Sequence, residues 1–255
     1  MKKLILKKYQ QSMSLIFDFF ENMSWRPKTG KILVFTDSRG TEVSALKQKV
    51  PFFSYLKFFN NFKVEYYLCP SKYTSILDFL ELVGNKGDEY EFIVLHCGIV
   101  DFAPRPLSSY QDMLNLKWDY ISKMGWSSYF KNRNDYLCDY YNEKTLQFMS
   151  LKFVDDVVIP LLSKRKNLIY VGINRVLLDW NGNYWKKRPD CINVQLKNNA
   201  NIMNNLSSAI SLSSWSDDQI KKYTVDNVHY NRLGLDLIGK QVYEKILELS
   251  TQRAT

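Results

Sequence analysis

Apolar runs typical of β-strands alternate with helical patterns along most of this 255-residue chain. The strand-like runs lie at 31–36, 63–68, 91–97 and 167–173, with a weaker one at 219–225. Apolar residues at helical spacing mark segments at 73–83, 151–166, 195–212 and 232–249. Strands that alternate with helices pair in parallel through right-handed crossovers. The sequence therefore predicts an α/β fold with a doubly wound, parallel five-stranded sheet that helices cover on both faces.

The chain is predicted to form one large domain. No Gly-, Pro- or Ser-rich linker divides it, and its 45% hydrophobic content is enough for a sizeable core. We expect this domain to span 31–255, with an aromatic-rich helical insertion at about 107–150, and a basic helical segment to precede it at 1–30.

The formal net charge of +9 favours polyanionic partners. No helix-turn-helix, zinc-finger or RNA-recognition signature is present, so no specific nucleic-acid partner is expected. The basic N-terminus is expected either to rest on an anionic membrane surface or to pack on the domain. Oligomeric state cannot be read from the sequence. No run of about 18 apolar residues predicts a membrane span.

The four cysteines, at 69, 97, 138 and 191, form no Cys-x-x-Cys motif that would suggest a zinc or redox site. Packed, reduced cysteines are the usual state at the ends of apolar runs such as those holding Cys69 and Cys97. We therefore expect a reducing compartment: the cytoplasm, with a peripheral position at the inner membrane as an option for the basic N-terminus.

The first strand-like run, KILVFT, is followed by Asp37 and Ser38. A serine at this position can simply cap a following helix. However, ligands of open parallel sheets bind outside the carboxyl ends of the strands. On this reading Ser38, Asp101, Asn174, Asp226 and His229 all fall on one edge of the sheet.

An Asp-x-x-His pair, Asp226 and His229, precedes the last helical pattern. At a loop-to-helix junction the carboxylate can orient one imidazole nitrogen and leave the other free. A serine hydroxyl becomes a good nucleophile only when such a base removes its proton. The alternative role of His229 is that of a surface or capping residue. The other histidine, His96, is expected to be a hydrogen-bonded core residue within the third strand.

These motifs resemble the SGNH (GDSL-like) hydrolase family over about 31–249. The family combines Gly-Asp-Ser, Gly-x-Asn-Asp and Asp-x-x-His blocks on a flavodoxin-like sheet. Thr36-Asp37-Ser38 matches the first block with Thr in place of Gly, GIVD at 98–101 matches the second with Val100 in place of Asn, and the third block is complete. The resemblance implies that Ser38, His229 and Asp226 form a catalytic triad and that the Ser38 amide is an oxyanion donor.

Two family oxyanion donors are missing from this sequence, the central Asn and a Gly after the second strand. Loss of one such donor typically costs on the order of a hundredfold in rate. Ser71 and Asn174 are the candidate replacements, together with backbone N–H groups. Without a replacement, the activity would be weak.

The segment HCGIVDFAPRP resembles a branch of SGNH-like proteins associated with bacterial surface-polysaccharide gene clusters. Asp101 and Arg105 in this segment, with Trp180 and Trp185 of WNGNYWKKRPD, are candidate substrate-binding residues. Arg105 either binds an anionic substrate group or pins its own loop. The aromatic segments 107–150 and 180–190 suit an acidic sugar, and they also fit a small helical cap with its own core.

The leading hypothesis is a serine-dependent carbohydrate O-acetyl esterase acting on a surface polysaccharide or glycolipid through an acyl-enzyme. A polysaccharide O-acetyltransferase would use the same triad with acetyl-CoA or another acyl donor. A non-catalytic SGNH-like module that binds a glycan or lipid-linked intermediate is the alternative outside enzymes. No P-loop, dinucleotide fingerprint or zinc-protease motif is present, so neither a cofactor nor a metal is expected for the esterase.

Overall fold

A five-stranded, all-parallel sheet forms the centre of the computed structural model, which describes residues 30–43, 49–50, 55–86, 89–184 and 186–254. The strands are β1 Lys31–Thr36, β2 Lys63–Leu68, β3 Phe92–His96, β4 Leu168–Val171 and β5 Ala209–Ile210. Their order is β2-β1-β3-β4-β5. This is the flavodoxin-like, doubly wound arrangement, as predicted.

The longer helices in the described part of the chain are α1 Ile76–Lys86, α2 Leu107–Lys123, α3 at 151–163, α4 Gln195–Asn205, α5 Asp217–Tyr223 and α6 Arg232–Ala254. Helix α3 runs over 151–163 and contains a π-helical turn, Val154–Val158, between Leu151–Phe153 and Ile159–Ser163. Short helical turns lie at Ser38–Gly40, Tyr55–Phe59, Ile99–Phe102, Ser127–Tyr129 and Ile192–Val194. The minor strands are Glu42–Val43, Lys49–Val50, Arg105–Pro106, Asp139–Tyr140 and Glu143–Leu146.

The two faces of the sheet bury separate apolar clusters, because successive strand residues point to opposite sides. In β1, Leu33 and Phe35 pack in the cluster under α1 and α3. Ile32 and Val34 pack in the cluster under α5 and α6. Three α/β/α layers result, and the continuous apolar runs of the sequence reflect strands that are buried on both faces.

The fifth strand was predicted in the wrong place. The run at 219–225 belongs mainly to α5, and the strand is the short segment Ala209–Ile210, inside the range predicted as helix 195–212. A capping box starts α5: the Ser216 hydroxyl accepts from the Gln219 N–H, and the Gln219 side chain accepts from the Ser216 N–H. Asp217 and Asp218 in its first turn suit the positive end of the helix dipole.

The insertion packs on the sheet domain through the first apolar cluster. Its aromatic residues Trp126, Phe130 and Phe148 are buried there, so much of the aromatic content serves the core. A disulfide between Cys138 and Cys191 ties the insertion to the loop that follows β4. The reduced state predicted for Cys69 and Cys97 concerns the other two cysteines and is not contradicted by this bridge.

The predicted basic helix at 1–30 lies outside the described residues except for Gly30. Within the described ranges, no helix has the length and apolar character needed to cross a membrane.

Candidate active site

The nucleophile candidate Ser38 lies in a 3₁₀ turn directly after β1, at the carboxyl edge of the sheet. Asp226 and His229 lie in the loop between α5 and α6, where a bridge pairs Thr224 with Tyr230. Residues 191 positions apart thus meet at one edge, although the segment before Asp226 and His229 is helix α5 and not the strand predicted at 219–225.

A continuous hydrogen-bonded relay links the three side chains. Ser38 Oγ lies 2.9 Å from His229 Nε2, and His229 Nδ1 lies 2.8 Å from Asp226 Oδ2. When Asp226 is ionised, Nδ1 carries the proton, so Nε2 is free to accept from the Ser38 hydroxyl. The His229 side chain is about one quarter exposed, which leaves the relay open to a substrate.

The loop around Asp226 keeps its carboxylate ionised. Burial by itself raises the pKa of Asp226, but the hydrogen bonds and charge of His229, together with the charge of Arg188, outweigh burial and lower this pKa to about 2. Asp226 Oδ1 accepts the backbone N–H groups of Val228 at 3.1 Å and His229 at 2.8 Å. The carboxylate is thus fixed in position as well as in charge.

Asn227 locks this loop onto the loop after β4. It has a φ of +71°, a conformation that Asn tolerates better than most residues. Its side-chain amide is hydrogen-bonded to both the N–H and the carbonyl of Leu177, each at 3.0 Å, and it also donates to the Trp180 carbonyl. Gly182 allows the same approach, because a Cβ at that position would lie 2.4 Å from the Val225 carbonyl oxygen.

A buried ion pair, Asp37 with Arg39, anchors the turn that holds Ser38. Arg39 donates to both carboxylate oxygens of Asp37, through Nε at 3.0 Å to Oδ1 and Nη2 at 2.9 Å to Oδ2. Its Nη1 donates to the Gly172 carbonyl at 3.2 Å, beyond the end of β4. Sequence reasoning missed this role of Arg39. The signal available was an Asp-x-Arg spacing within a turn between buried elements.

Gly40 makes room for the buried side chain of Thr36. A Cβ on Gly40 would lie 2.1 Å from Thr36 Oγ1 and 2.3 Å from Thr36 Cβ. Real Cβ atoms do not approach so closely, so these two positions are coupled. A side chain at position 40 is therefore incompatible with Thr36 in its present place.

Asn174 is not available as an oxyanion donor. Its Nδ2 donates to the carbonyls of Arg175 at 2.7 Å and Asn227 at 2.9 Å, which uses both amide hydrogens. Its Oδ1 accepts from the Tyr230 hydroxyl at 3.1 Å. The predicted oxyanion role of Asn174 is therefore wrong, and the residue holds the active-site loops together instead.

The loop after β2 also supplies no donor over 69–71. The N–H of Cys69 donates to the Thr36 carbonyl at 2.8 Å, and Pro70 has no N–H. The N–H of Ser71 donates to Thr74 Oγ1 at 3.1 Å, and the Ser71 hydroxyl lies 3.4 Å from the same oxygen. The predicted oxyanion role of Ser71 is thus unsupported. The Ser38 N–H makes no hydrogen bond to the described residues.

Asp101, predicted to bind substrate, is fully buried and caps helix α1. Both of its carboxylate oxygens lie 3.2 Å from the Ile76 N–H. Burial raises the pKa of Asp101 to about 7, although the Ile76 N–H opposes this shift. A side chain without solvent contact cannot touch a substrate, so the prediction for Asp101 is wrong.

Two arginines are candidates for binding an anionic group: Arg188, beside Asp226, and Arg105, in the loop after β3. Arg105 donates through Nε to the Val100 carbonyl at 2.9 Å and lies 5.4 Å from the centre of the Tyr73 ring. Its Nη groups make no hydrogen bond within the described part of the chain. Burial lowers the pKa of Arg105, and the charges of Asp101 and Asp37 oppose this shift without cancelling it. Arg188 lies 3.6 Å from Asp226 Oδ2.

The aromatic candidates have different outcomes. Trp180 is partly buried and packs against the cluster under α6, while Trp185 lies outside the described residues. Tyr184 instead stacks on Arg188, at 3.9 Å from the guanidinium carbon to the ring centre. Tyr140 of the insertion donates to the Lys187 carbonyl at 2.7 Å and brings the insertion beside Tyr184.

His96 is a core residue, as predicted. It is fully buried in β3, its Nδ1 lies 3.4 Å from the Tyr55 hydroxyl, and it stacks on Tyr230. Burial lowers the pKa of His96 well below its usual value, with a further contribution from the charge of Arg39. A neutral His96 behind the Ser38 turn adds no charge to the site. The described residues contain no cluster of three or more His, Cys, Asp or Glu side chains arranged to bind a metal.

Comparisons with other proteins give little beyond the architecture. No protein-family model matches the chain, and no curated protein matches it. One solved crystal structure is 14% identical with a TM-score of 0.49, over 86% of this chain and 96% of its own. Another, described as "a putative platelet activating factor from Streptococcus pneumonia", is 13% identical with a TM-score of 0.44, over 96% of this chain and 95% of its own. Likeness at this level carries no argument about function.

Proposed function

We propose that this protein is a serine-dependent esterase of the SGNH type that forms an acyl-enzyme on Ser38. The observation that carries the proposal is the relay of two hydrogen bonds, 2.9 Å from Ser38 to His229 and 2.8 Å from His229 to Asp226. This geometry matches the requirements for general-base activation of a serine nucleophile.

The proposed reaction has two steps. In the first, His229 Nε2 takes the Ser38 proton while Oγ attacks the acyl carbon, and the imidazolium then protonates the leaving alkoxide as its bond to the acyl carbon breaks. In the second, His229 removes a proton from water as the water oxygen attacks the acyl carbon, and the bond from Ser38 Oγ to that carbon then breaks. The imidazolium protonates Oγ, which restores Ser38 and releases acetate. Asp226 holds Nδ1–H and stabilises the imidazolium at both stages.

The Ser38 N–H is the proposed oxyanion donor, because it belongs to the nucleophile itself and makes no hydrogen bond to any described residue. With Ser71 and Asn174 used elsewhere, fewer donors are assigned than the family pattern would provide. Each missing donor typically costs about 10²–10³ in rate. This observation also favours the second candidate, a non-catalytic module that uses the same cleft to bind a glycan.

The proposed substrate is an acetyl ester on an acidic carbohydrate, from a bacterial surface polysaccharide or glycolipid. Support comes from Arg105, whose Nη groups have no partner in the described ranges, and from the stacked pair of Tyr184 and Arg188 beside Asp226. A planar guanidinium suits a carboxylate or phosphate. Tyr140 adds an aromatic side chain to the same wall.

Covalent labelling tests the proposal. A phosphonofluoridate should modify Ser38 in the native protein, as seen by intact mass and peptide mapping. His229→Ala and Ser38→Ala should abolish the labelling. Ser71→Ala is the matched control, since Ser71 is an exposed serine bonded only within its own loop, and it should label normally. Absence of labelling between about pH 6 and 9, where a relay serine should react, would favour the binding module.

Hydrolysis and transfer share these steps and differ in the acceptor. The same triad would make the protein an O-acetyltransferase if a sugar hydroxyl resolved the acyl-enzyme in place of water. Incubation with an acetyl ester, with and without a sugar acceptor, separates the two. Free acetate as the sole product supports the esterase, and acetylated sugar supports the transferase.

A further inference from the structure

We infer that the insertion carries a second carbohydrate-binding site, separate from the Ser38 relay. A pocket of about 620 Å³ lies between one face of α2 and the segment Phe130–Arg133, and Tyr136 and Leu146 complete its lining. Its volume falls in the range of small-ligand sites. No residue of the proposed triad lines it.

The pocket is built by helical periodicity. Its α2 residues occur at positions 107, 110, 111, 114, 115 and 118, which share one face of the helix. Leu114 on this face is buried in the core, whereas Gln111 and Asn115 are exposed and edge the cavity. The helix therefore supplies both an apolar floor and a polar rim.

The opposite wall is fixed before any ligand binds. The Tyr110 hydroxyl donates to the Phe130 carbonyl at 2.9 Å and ties α2 to this wall. Arg133 Nη1 donates to the carbonyls of Gln147 at 2.9 Å and Phe148 at 2.8 Å. A pre-formed wall reduces the entropy lost on binding.

The chemistry of the lining favours a sugar. Trp118 and Tyr136 offer aromatic surfaces against which the C–H face of a sugar ring can pack. Gln111 Nε2 donates to Asn115 Oδ1 at 2.8 Å, which leaves Gln111 Oε1 as an acceptor and Asn115 Nδ2 as a donor. Sugar hydroxyls both donate and accept, so they match this pair.

The charge of the pocket favours an acidic sugar. Its lining contains no carboxylate. The charge of Arg133 is neutralised by Asp135, which accepts from Nε at 2.8 Å and Nη2 at 2.6 Å. Lys131 has no carboxylate partner among the described residues, and its ammonium lies 4.9 Å from the centre of the Trp118 ring. The Lys131 ammonium beside the Trp118 ring is therefore suited to pair with one carboxylate of a bound sugar.

Binding can be tested on the full chain by NMR. The indole N–H signal of Trp118, assigned with Trp118→Phe, is followed during titration with two tetrasaccharides. One alternates glucuronic acid with N-acetylglucosamine, and the other is neutral cellotetraose. We expect saturable shifts with both, and binding of the acidic tetrasaccharide tighter by about 1.4- to fivefold, the effect of one exposed ion pair.

Matched variants separate the contribution of the cation from that of the amide side chains. Lys131→Gln should remove the preference for the acidic tetrasaccharide and keep the affinity for cellotetraose. Gln111→Ala with Asn115→Ala should weaken both, and since these side chains are exposed the fold should be retained. Ser38→Ala should leave binding unchanged, so this inference stands or falls independently of the nucleophile.

Four results would overturn the inference. These are no shift of the Trp118 signal with either tetrasaccharide, equal affinity for the two, unchanged binding in the amide double variant, and loss of binding in Ser38→Ala. The last would place the ligand at the relay, whereas failed labelling of Ser38 with intact pocket binding would overturn only the proposed esterase.

Discussion

Gly40 permits a sharp test of how the nucleophile turn is built. A methyl group at this position would lie 2.1 Å from Thr36 Oγ1, 2.3 Å from Thr36 Cβ and 2.5 Å from Thr36 Cγ2. Both residues are buried, Thr36 fully so, and the clash cannot be relieved by rotating Thr36 because it includes Cβ. We therefore predict that Gly40→Ala is destabilising and displaces Ser38.

The size of the effect follows from the overlap. Overpacking a buried site costs typically about 1–3 kcal/mol. For a domain of this size, each kcal/mol lowers Tm by roughly 2–4 °C, so the drop should lie between about 2 and 12 °C. Moving a reacting group by about 1 Å lowers a rate about a hundredfold. A smaller displacement of Ser38 should still slow its labelling by at least about tenfold.

Two partner substitutions make the test specific. Thr36→Gly removes all three clashing atoms and should restore the stability and labelling rate of Gly40→Ala. The double-mutant cycle should give an interaction free energy of about 0.5–3 kcal/mol. Thr36→Ala keeps Cβ, only 2.3 Å away, and should not rescue. Calorimetric Tm and the labelling rate are measured on all variants. The reasoning is refuted if Gly40→Ala behaves like wild type, or if Thr36→Ala rescues as well as Thr36→Gly.

Three further outcomes are expected. Asp226→Asn should lower kcat on an acetyl ester by about 10²–10⁴, because it removes the carboxylate that holds the His229 proton on Nδ1 and leaves Nε2 free to act as base. An unchanged kcat would contradict this. The pKa of Asp226 is about 2 in the folded protein, below the usual 3.8. Ionised Asp226 therefore stabilises the folded state by roughly 2 kcal/mol above pH 4, and this contribution is lost as the pH falls through 2. The advantage of wild type over Asp226→Asn in urea unfolding should shrink over that window, and a constant difference would count against it. Replacing Cys138 and Cys191 by Ser should lower stability by about 2–4 kcal/mol, and an unchanged Tm would argue that the bridge does not constrain the insertion.

The alternation of apolar runs and helical patterns was enough to predict the parallel sheet and the position of Ser38 at its carboxyl edge. The placement of Asp226 and His229 at the same edge rested on a strand at 219–225, where the structure has helix α5. Strands β1 to β4 lie within about a residue or two of the predicted runs, because each is buried on both faces and reads as continuous apolar sequence. The strand at 219–225 was wrong because apolar Ile220 and Tyr223 also fit helical spacing. The Ser216 and Gln219 capping box was the signal that could have identified α5.

The relay could be found from sequence because its residues lie in short motifs at strand and helix ends. The supporting contacts could not, since they join distant positions. Asn174 bonds to Asn227, 53 residues away, and this contact removes it from the oxyanion role. Cys138 pairs with Cys191 across the same separation. Spacing alone assigns neither contact.

Trapping the acyl-enzyme tests most directly whether the relay activates Ser38. The native protein and His229→Ala are mixed with p-nitrophenyl acetate, quenched in acid, and digested for mass spectrometry. The proposed mechanism predicts that the peptide containing Ser38 gains one acetyl group in the native protein and remains unmodified in His229→Ala. Acetylation confined to surface lysines, and equal in the two proteins, would contradict it.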